Sequence, residues 1–169
     1  SAARLVLEHE GGFVDDPADP GGATNYGVSL RWLRSIDEGG DIDGDGDVDA
    51  DDVRALTKAQ AVALYKARFW DRHGYWRLPG GIAVKVFDLS VNMGPRPAHR
   101  CVQRACRAAG QDLTDDGILG PVSHAAIRAA GHELIPALRS EAAGFYRSLV
   151  AARPAREKWL TGWLNRAYA

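Results

Sequence analysis

Apolar residues recur at helical spacing along most of this chain, and the period is lost in two stretches. Leu5, Val6 and His9 predict a short helix over residues 2–10 that Gly11 stops. Residues 13–23 then carry Pro17, Pro20, Gly21 and Gly22, which forbid helix and predict tight turns. Asn25-Tyr26-Gly27 reads as a hairpin or turn, and Ser29 caps a helix over 30–36 with Trp32, Leu33 and Ile36. The period disappears again through 41–52. A short turn over 53–56 leads to Thr57, which with Gln60 three residues on makes a capping-box start for a helix bearing Ala61, Leu64, Tyr65 and Phe69.

From there the helical pattern is nearly continuous. Residues 81–94 form a strongly apolar helix through Ile82, Val86, Leu89 and Met93, which Pro95 and Pro97 are expected to break. Residues 98–109 make another, with Val102, Ala105, Cys106 and Ala109 inward and Arg100, Arg104 and Arg107 outward. Turns at Asp115-Asp116-Gly117 and Gly120-Pro121 lead to helices over 122–130, 133–152 and 157–168, the last carrying Trp159, Leu160, Trp163 and Leu164. The pattern predicts a mainly α fold, a single compact helical domain with at most a small β element near residue 26.

Composition changes little in that picture. At 169 residues, 46% of them hydrophobic, the chain is long enough for one core, or one core and a small lobe. Apolar runs are far shorter than the ~20 residues of a membrane helix, and no signal-peptide pattern opens the sequence. Cys101 and Cys106, five apart on a predicted helix, point roughly 140° away from each other and are expected to stay reduced.

Charge changes it more. Nine acids lie within 37–52, a stretch without Lys or Arg, leaving 21 basic against 13 acidic residues elsewhere. A basic remainder favours a polyanionic partner such as nucleic acid, an anionic membrane surface or the bacterial cell wall. Within the acidic stretch, Asp41, Asp43 and Asp45 occupy positions one, three and five of a twelve-residue loop, with Gly46 at six, Val48 at eight and Asp52 at twelve. That spacing is the EF-hand-type calcium loop, with Asp47 ligating through its backbone carbonyl and Asp49 through water. Asp52 in place of the usual Glu resembles the calcium loops of dockerin modules. The expected role of the Ca2+ is structural, a clamp on the insert.

Candidate chemistry gathers around the first stretch. Glu10 falls at the end of the first helix, where the negative end of the helix dipole disfavours ionisation and suits a general acid. Asp15, Asp16 and Asp19 compete for the role of second carboxylate. Asp88 and Asn92, four apart, share one face of the apolar 81–94 helix and either line a site or form a satisfied buried hydrogen-bond pair. Of the aromatics Phe69, Trp70, Tyr75 and Trp76, most are expected in the core, with Trp70 or Trp76 presented to a sugar.

The strings Glu10-Gly11-Gly12-Phe13-Val14, Asp16 to Gly22, and Thr24-Asn25-Tyr26-Gly27-Val28 resemble glycoside hydrolase family 108, muramidases of phage endolysins and secretion activators. Phe87 to Gly94 and Asp116-Gly117-Ile118-Leu119-Gly120-Pro121 look like that family's second, peptidoglycan-binding half. The resemblance implies a lysozyme-like fold, α+β at most, with a catalytic region over 1–94 and a peptidoglycan-binding-like region over 95–169. It implies cleavage of the β-1,4 bond between N-acetylmuramic acid and N-acetylglucosamine, with Glu10 protonating the leaving oxygen. By analogy with the phage lysozyme layout, Asp19 stabilises charge on the sugar and Thr24 holds a water, with Asp88 a rival partner for Glu10. Tyr26, Asp88, Asn92 and Trp70 are the candidate substrate contacts.

The expected partner is bacterial peptidoglycan, met in the periplasm or cell wall by a monomer with no membrane span. A lytic transglycosylase using the same glutamate and a noncatalytic calcium-dependent wall-binding module are the competing readings. The arginines favour nucleic acid, but no nucleic-acid recognition motif accompanies them.

Overall fold

The computed structural model describes residues 12–15, 21–36 and 39–169. The protein is mainly α, and its contacts divide it into two compact units, residues 1–67 and 68–169.

In the first unit, β1 (Thr24–Asn25) and β2 (Val28–Ser29) pair antiparallel, Thr24 opposite Ser29 and Asn25 opposite Val28. Val14 extends this ribbon: its N–H and carbonyl both bond Thr24, each at 2.8 Å. Ser29 then caps α1 (Leu30–Arg34), its Oγ accepting from the Trp32 N–H at 3.2 Å. The helix stops short of the expected residue 36 because the Ser35 hydroxyl donates to the Trp32 carbonyl at 2.7 Å and closes the last turn. After the acidic loop come α2 (Ala50–Ala55) and α3 (Lys58–Tyr65), and α3 runs on into a π-helical turn, Lys66–Asp71.

The turn expected over 53–56 is a helix in the structure, and its cause lies upstream. Asp49 accepts from the Asp51 N–H, and Asp52 accepts from the Asp49 N–H, so a capping box starts the helix three residues earlier. The second box, Thr57 with Gln60, stands where the sequence places it. Val28, Leu33, Val53, Leu56, Ala61 and Tyr65 fill this unit's core. Trp32 stacks on Tyr65 with centroids 5.5 Å apart.

The second unit is built from α4 (Gly80–Met93), α5 (Pro95–Ala108), α6 (Pro121–Ala130), α7 (Leu134–Ala152) and α8 (Glu157–Tyr168). α5 packs on α4 and α7, and α7 on α8. The opening Gly80-Gly81 of α4 costs on the order of 1 kcal/mol per glycine. Burial of Ile82, Val86, Phe87 and Leu89, at about 1.5–3 kcal/mol each, outweighs that.

Pro95 and Pro97 do not delay the next helix to residue 98 as expected; α5 begins at Pro95 itself. A proline in the first helical turn loses an N–H that has no intrahelical partner anyway. Gly94, with φ of +91°, makes the break between α4 and α5 instead.

Two buried polar clusters fix this unit. Tyr75 Oη lies 2.6 Å from Ser90 Oγ and 2.7 Å from His99 Nε2, while His99 Nδ1 lies 2.9 Å from the Gly117 carbonyl. Burial pushes His99 down to about 4 and Tyr75 up to about 12, so neutral His99 donates from Nδ1 and accepts the Tyr75 proton at Nε2. Gln103 Nε2 reaches Asp116 Oδ1, the Ile118 carbonyl and Ser123 Oγ within 3.0 Å, and its Oε1 accepts from the Gly117 N–H at 2.8 Å. Asp116 to Pro121 is thus a turn held from beneath by a side-chain amide. A Cβ on Gly117 would meet Arg96 Cγ at 2.6 Å, and its φ is +82°. Cys101 and Cys106 are free and buried.

Candidate active site

Glu10 and Asp19 lie outside the described residues. The described residues nearest to Glu10 in sequence belong to a ribbon in which Val14 is tied by its bridge to Thr24 and Thr24–Asn25 pairs with Val28–Ser29.

Thr24 is half-buried and its hydroxyl donates to the Gly22 carbonyl at 3.3 Å, which leaves its oxygen lone pairs available to accept. Asn25 is only 5% exposed and works structurally: Nδ2 donates to the Val53 and Leu56 carbonyls at 3.0 and 3.3 Å, satisfying acceptors at the end of α2. Tyr26 and Gly27 form the two-residue turn, with φ of +50° and +74°. Gly27 adopts such a φ freely, but a tyrosine in the left-handed region costs on the order of 1–3 kcal/mol. Its carbonyl accepts from Tyr65 Oη at 3.2 Å, which helps hold the turn. Strain kept at a ribbon tip in this way is consistent with a ring positioned for contact. Phe13, 37% exposed, carries the Arg54 guanidinium 4.9 Å above its ring.

The acidic loop is preorganised by its own carboxylates. Asp41 accepts from the N–H groups of Gly44 and Gly46 at 2.6 and 3.1 Å, Asp43 from Asp45 at 3.2 Å, and Asp45 from Asp47 at 3.1 Å. Gly44 and Gly46 have φ of +83° and +101°, and Gly46 stands where the spacing calls for a sharp turn. Carboxylate oxygens of Asp41, Asp43 and Asp45 gather within 4.8 Å of one another, and so do those of Asp47, Asp49 and Asp52. The Asp45 N–H works to lower the Asp43 carboxyl, but desolvation and the charges of Asp45, Asp52 and Asp41 outweigh it and raise the group above its ordinary value. The charge of Asp45 likewise raises Asp47. An all-oxygen donor set under mutual repulsion suits a hard divalent cation.

Asp52 behaves differently from the others. It is 1% exposed, and its two oxygens accept from Ile42 at 2.6 Å, Asp43 at 3.3 Å and Asp49 at 2.7 Å. Burial pushes its carboxyl up, yet those N–H groups prevail and hold it below the usual carboxylate range.

The second unit holds the remaining sequence candidates. Trp70 packs edge-on against Phe87, centroids 5.6 Å apart, and against Tyr75, so it is largely a packing residue. Trp76, 60% exposed with Arg77 over its ring, is the presented aromatic of that cluster. Asp88 faces Arg166, with Oδ1 3.7 Å from Nε. Lys85, 7% exposed, donates to the Arg166 carbonyl at 2.5 Å. Burial lowers the Lys85 ammonium, while the Asp88 charge works the other way. Asp88 therefore neutralises a buried cationic cluster. Removing one partner of a buried charge group is costly, so Asp88→Asn is expected to destabilise the protein by about 2–4 kcal/mol. Thermal unfolding followed by circular dichroism measures this, and an unchanged midpoint refutes it.

Asn92 stands apart from Asp88. It is exposed, and its Oδ1 accepts from Tyr146 Oη at 2.6 Å. It lines a groove of about 540 Å³ with Phe145, Tyr146, Arg156, Trp159 and Trp163 among its walls. The sequence marks Trp159 and Trp163 only as apolar positions of the last helix. Their shared face with Arg156 and Asn92 arises from the packing of α8 on α7 and of α7 on α4, which no local pattern encodes.

The family model described as Glycosyl hydrolase 108 matches residues 3–94, and that described as Predicted Peptidoglycan domain matches residues 97–168. A solved structure, SagA of Brucella abortus, is 28% identical with a TM-score of 0.72 over 98% of this chain and 91% of that one. No curated protein matches the chain.

Proposed function

We propose, from the premise that this chain belongs to the glycosyl hydrolase 108 family, that it is an N-acetylmuramidase. The chain is a glycoside hydrolase with a peptidoglycan-binding half. The bond cleaved is the β-1,4 linkage between N-acetylmuramic acid and N-acetylglucosamine, and the place of action is the cell wall or periplasm. Catalysis is assigned to residues 1–94 and wall binding to 95–169. Among the described residues, no helix is long and apolar enough to cross a membrane.

The observation that carries this reading is the ribbon. The chain beyond Glu10 enters it at Val14, which pairs with Thr24, and half-buried Tyr26 sits in the turn that joins its two strands. In this reading Glu10 protonates the glycosidic oxygen, Asp19 stabilises positive charge on the sugar, and Thr24 accepts from the attacking water. Tyr26 lies against the glycan. Calcium, held by Asp41, Asp43 and Asp45 with the Asp47 carbonyl and Asp52 closing the loop, supplies charge neutralisation that fixes the loop and takes no part in bond cleavage.

Digestion of purified sacculi and mass analysis of the released muropeptides tests the reaction. The expected products carry a reducing N-acetylmuramic acid end. Products lighter by one water, with an anhydro ring, overturn hydrolysis in favour of transglycosylation, and binding without release overturns catalysis altogether.

A further inference from the structure

The groove lined by Asn92 in the second unit has features that packing alone does not account for. Trp163 stacks on Tyr146 with centroids 5.3 Å apart, and Trp159 continues the wall at 5.9 Å from Trp163. Trp159 remains 48% exposed. Burial raises the Tyr146 phenol, so it stays protonated and acts as the donor to Asn92 Oδ1. That bond fixes the amide with Nδ2 turned to the other side, where it meets no acceptor among the described residues. Arg156 contributes a guanidinium to the same groove and forms no ion pair among the described residues.

An aromatic wall, a fixed amide donor and an uncommitted cation are complementary to different parts of one ligand type. Indole faces accept the apolar C–H face of a pyranose, an amide N–H suits an acetamido carbonyl, and a guanidinium suits a carboxylate. A purely apolar occupant would desolvate Asn92 Nδ2 and Arg156 without pairing them, a penalty of about 1–3 kcal/mol for the amide alone. The volume, about 540 Å³, falls in the range of small-ligand sites.

We propose that this groove is a glycan subsite that takes an N-acetylated hexosamine against Trp159 and Trp163, with Asn92 on its acetamido group and Arg156 on the carboxylates of the attached stem peptide. The inference rests on the peptidoglycan reading and specifies which part of the wall polymer is gripped here. Binding at this groove then depends on the sugar ring through Trp159 and on the peptide through Arg156.

Calorimetry on the full chain with two soluble probes tests this: a tetramer of N-acetylglucosamine, which has no carboxylate, and a tetrasaccharide of alternating N-acetylglucosamine and N-acetylmuramic acid that bears stem peptides. Measurements use the Glu10→Gln background so that no probe is consumed. Trp159→Ala is expected to weaken binding of both probes at least tenfold, and Trp159→Tyr, which keeps a ring, to recover most of it. Arg156→Gln is expected to weaken only the peptide-bearing probe. Unchanged affinities in Trp159→Ala, or loss that Trp159→Tyr shares in full, overturn the subsite. Lysis of sacculi by the Glu10-intact protein is scored separately. Lysis with Trp159-independent binding sinks the subsite alone, whereas Trp159-dependent binding without lysis sinks the muramidase reading and leaves the subsite standing.

Discussion

Glu10→Gln is expected to reduce lysis of sacculi by at least two orders of magnitude while leaving the thermal midpoint and wall binding close to those of the unchanged protein. Glutamine is nearly isosteric with glutamic acid but has no proton to give, so the substitution isolates one step. A glycosidic oxygen is a poor leaving group unless it is protonated as the bond breaks, and general-acid catalysis of that kind contributes roughly 10²–10⁴-fold. The loss should fall on kcat with little change in KM, because the acid's proton matters in the transition state more than in the bound complex. Turbidity loss measured alongside sedimentation of protein with sacculi separates the two quantities. Full lysis by Glu10→Gln overturns the assignment, and loss of lysis together with loss of fold is excluded by the unchanged midpoint.

Legibility in the sequence tracks the range of the interactions involved. The last helix, Glu157–Tyr168, has the expected ends, and α4 and α6 begin one residue before the expected position, because a 3.6-residue apolar period is local and repeated. Thr57 and Gln60 are equally legible, since a capping box is a four-residue device. Helix starts are misplaced where one residue serves two local templates. Asp49 and Asp52 match positions of a cation loop and are also the N-cap and third helical residue of α2, so that helix begins inside the loop, at Ala50. Pro95 illustrates the same ambiguity, a breaker inside a helix and a good starter at its first turn. The second unit's polar sites are illegible for another reason. Gln103 reaches 13 to 20 residues along the chain to hold the Asp116–Ser123 turn, and Asn92 meets Tyr146 at a separation of 54. Asp88 and Asn92 do share α4, as their spacing requires, yet they serve different neighbours, Arg166 and Tyr146.

The acidic loop supplies the second large effect, in the form of two substitutions of which one acts with or without calcium and the other only with it. Asp52 is buried and accepts three backbone N–H groups that join the start of the loop to α2. Asp52→Ala strands these donors and deletes half of the capping box, for an expected loss of about 2–4 kcal/mol, with or without calcium. In a unit of this size that corresponds to a fall in Tm of roughly 10 °C or more. Because its folded pKa is lowered, its contribution is present at pH values above the ordinary carboxylate range and is lost as pH falls from that range through the folded value. Asp43 is exposed and its carboxyl is raised despite the Asp45 N–H, with the charges of Asp45, Asp52 and Asp41 among the causes. Asp43→Asn keeps an oxygen for that N–H while removing one of the repelling charges, so in chelator it is expected to leave Tm unchanged or slightly higher. With calcium the order reverses. The unchanged protein gains stability as RT ln(1 + [Ca2+]/Kd), about 2.7 kcal/mol at a hundredfold excess over Kd, and Asp43→Asn forfeits most of that gain. Thermal scans of both variants and the unchanged protein, each in chelator and in millimolar calcium, give the comparison. If calcium leaves the unchanged protein's Tm where chelator puts it, the loop is held by Asp52 and its own turns, and the cation has no structural part in it.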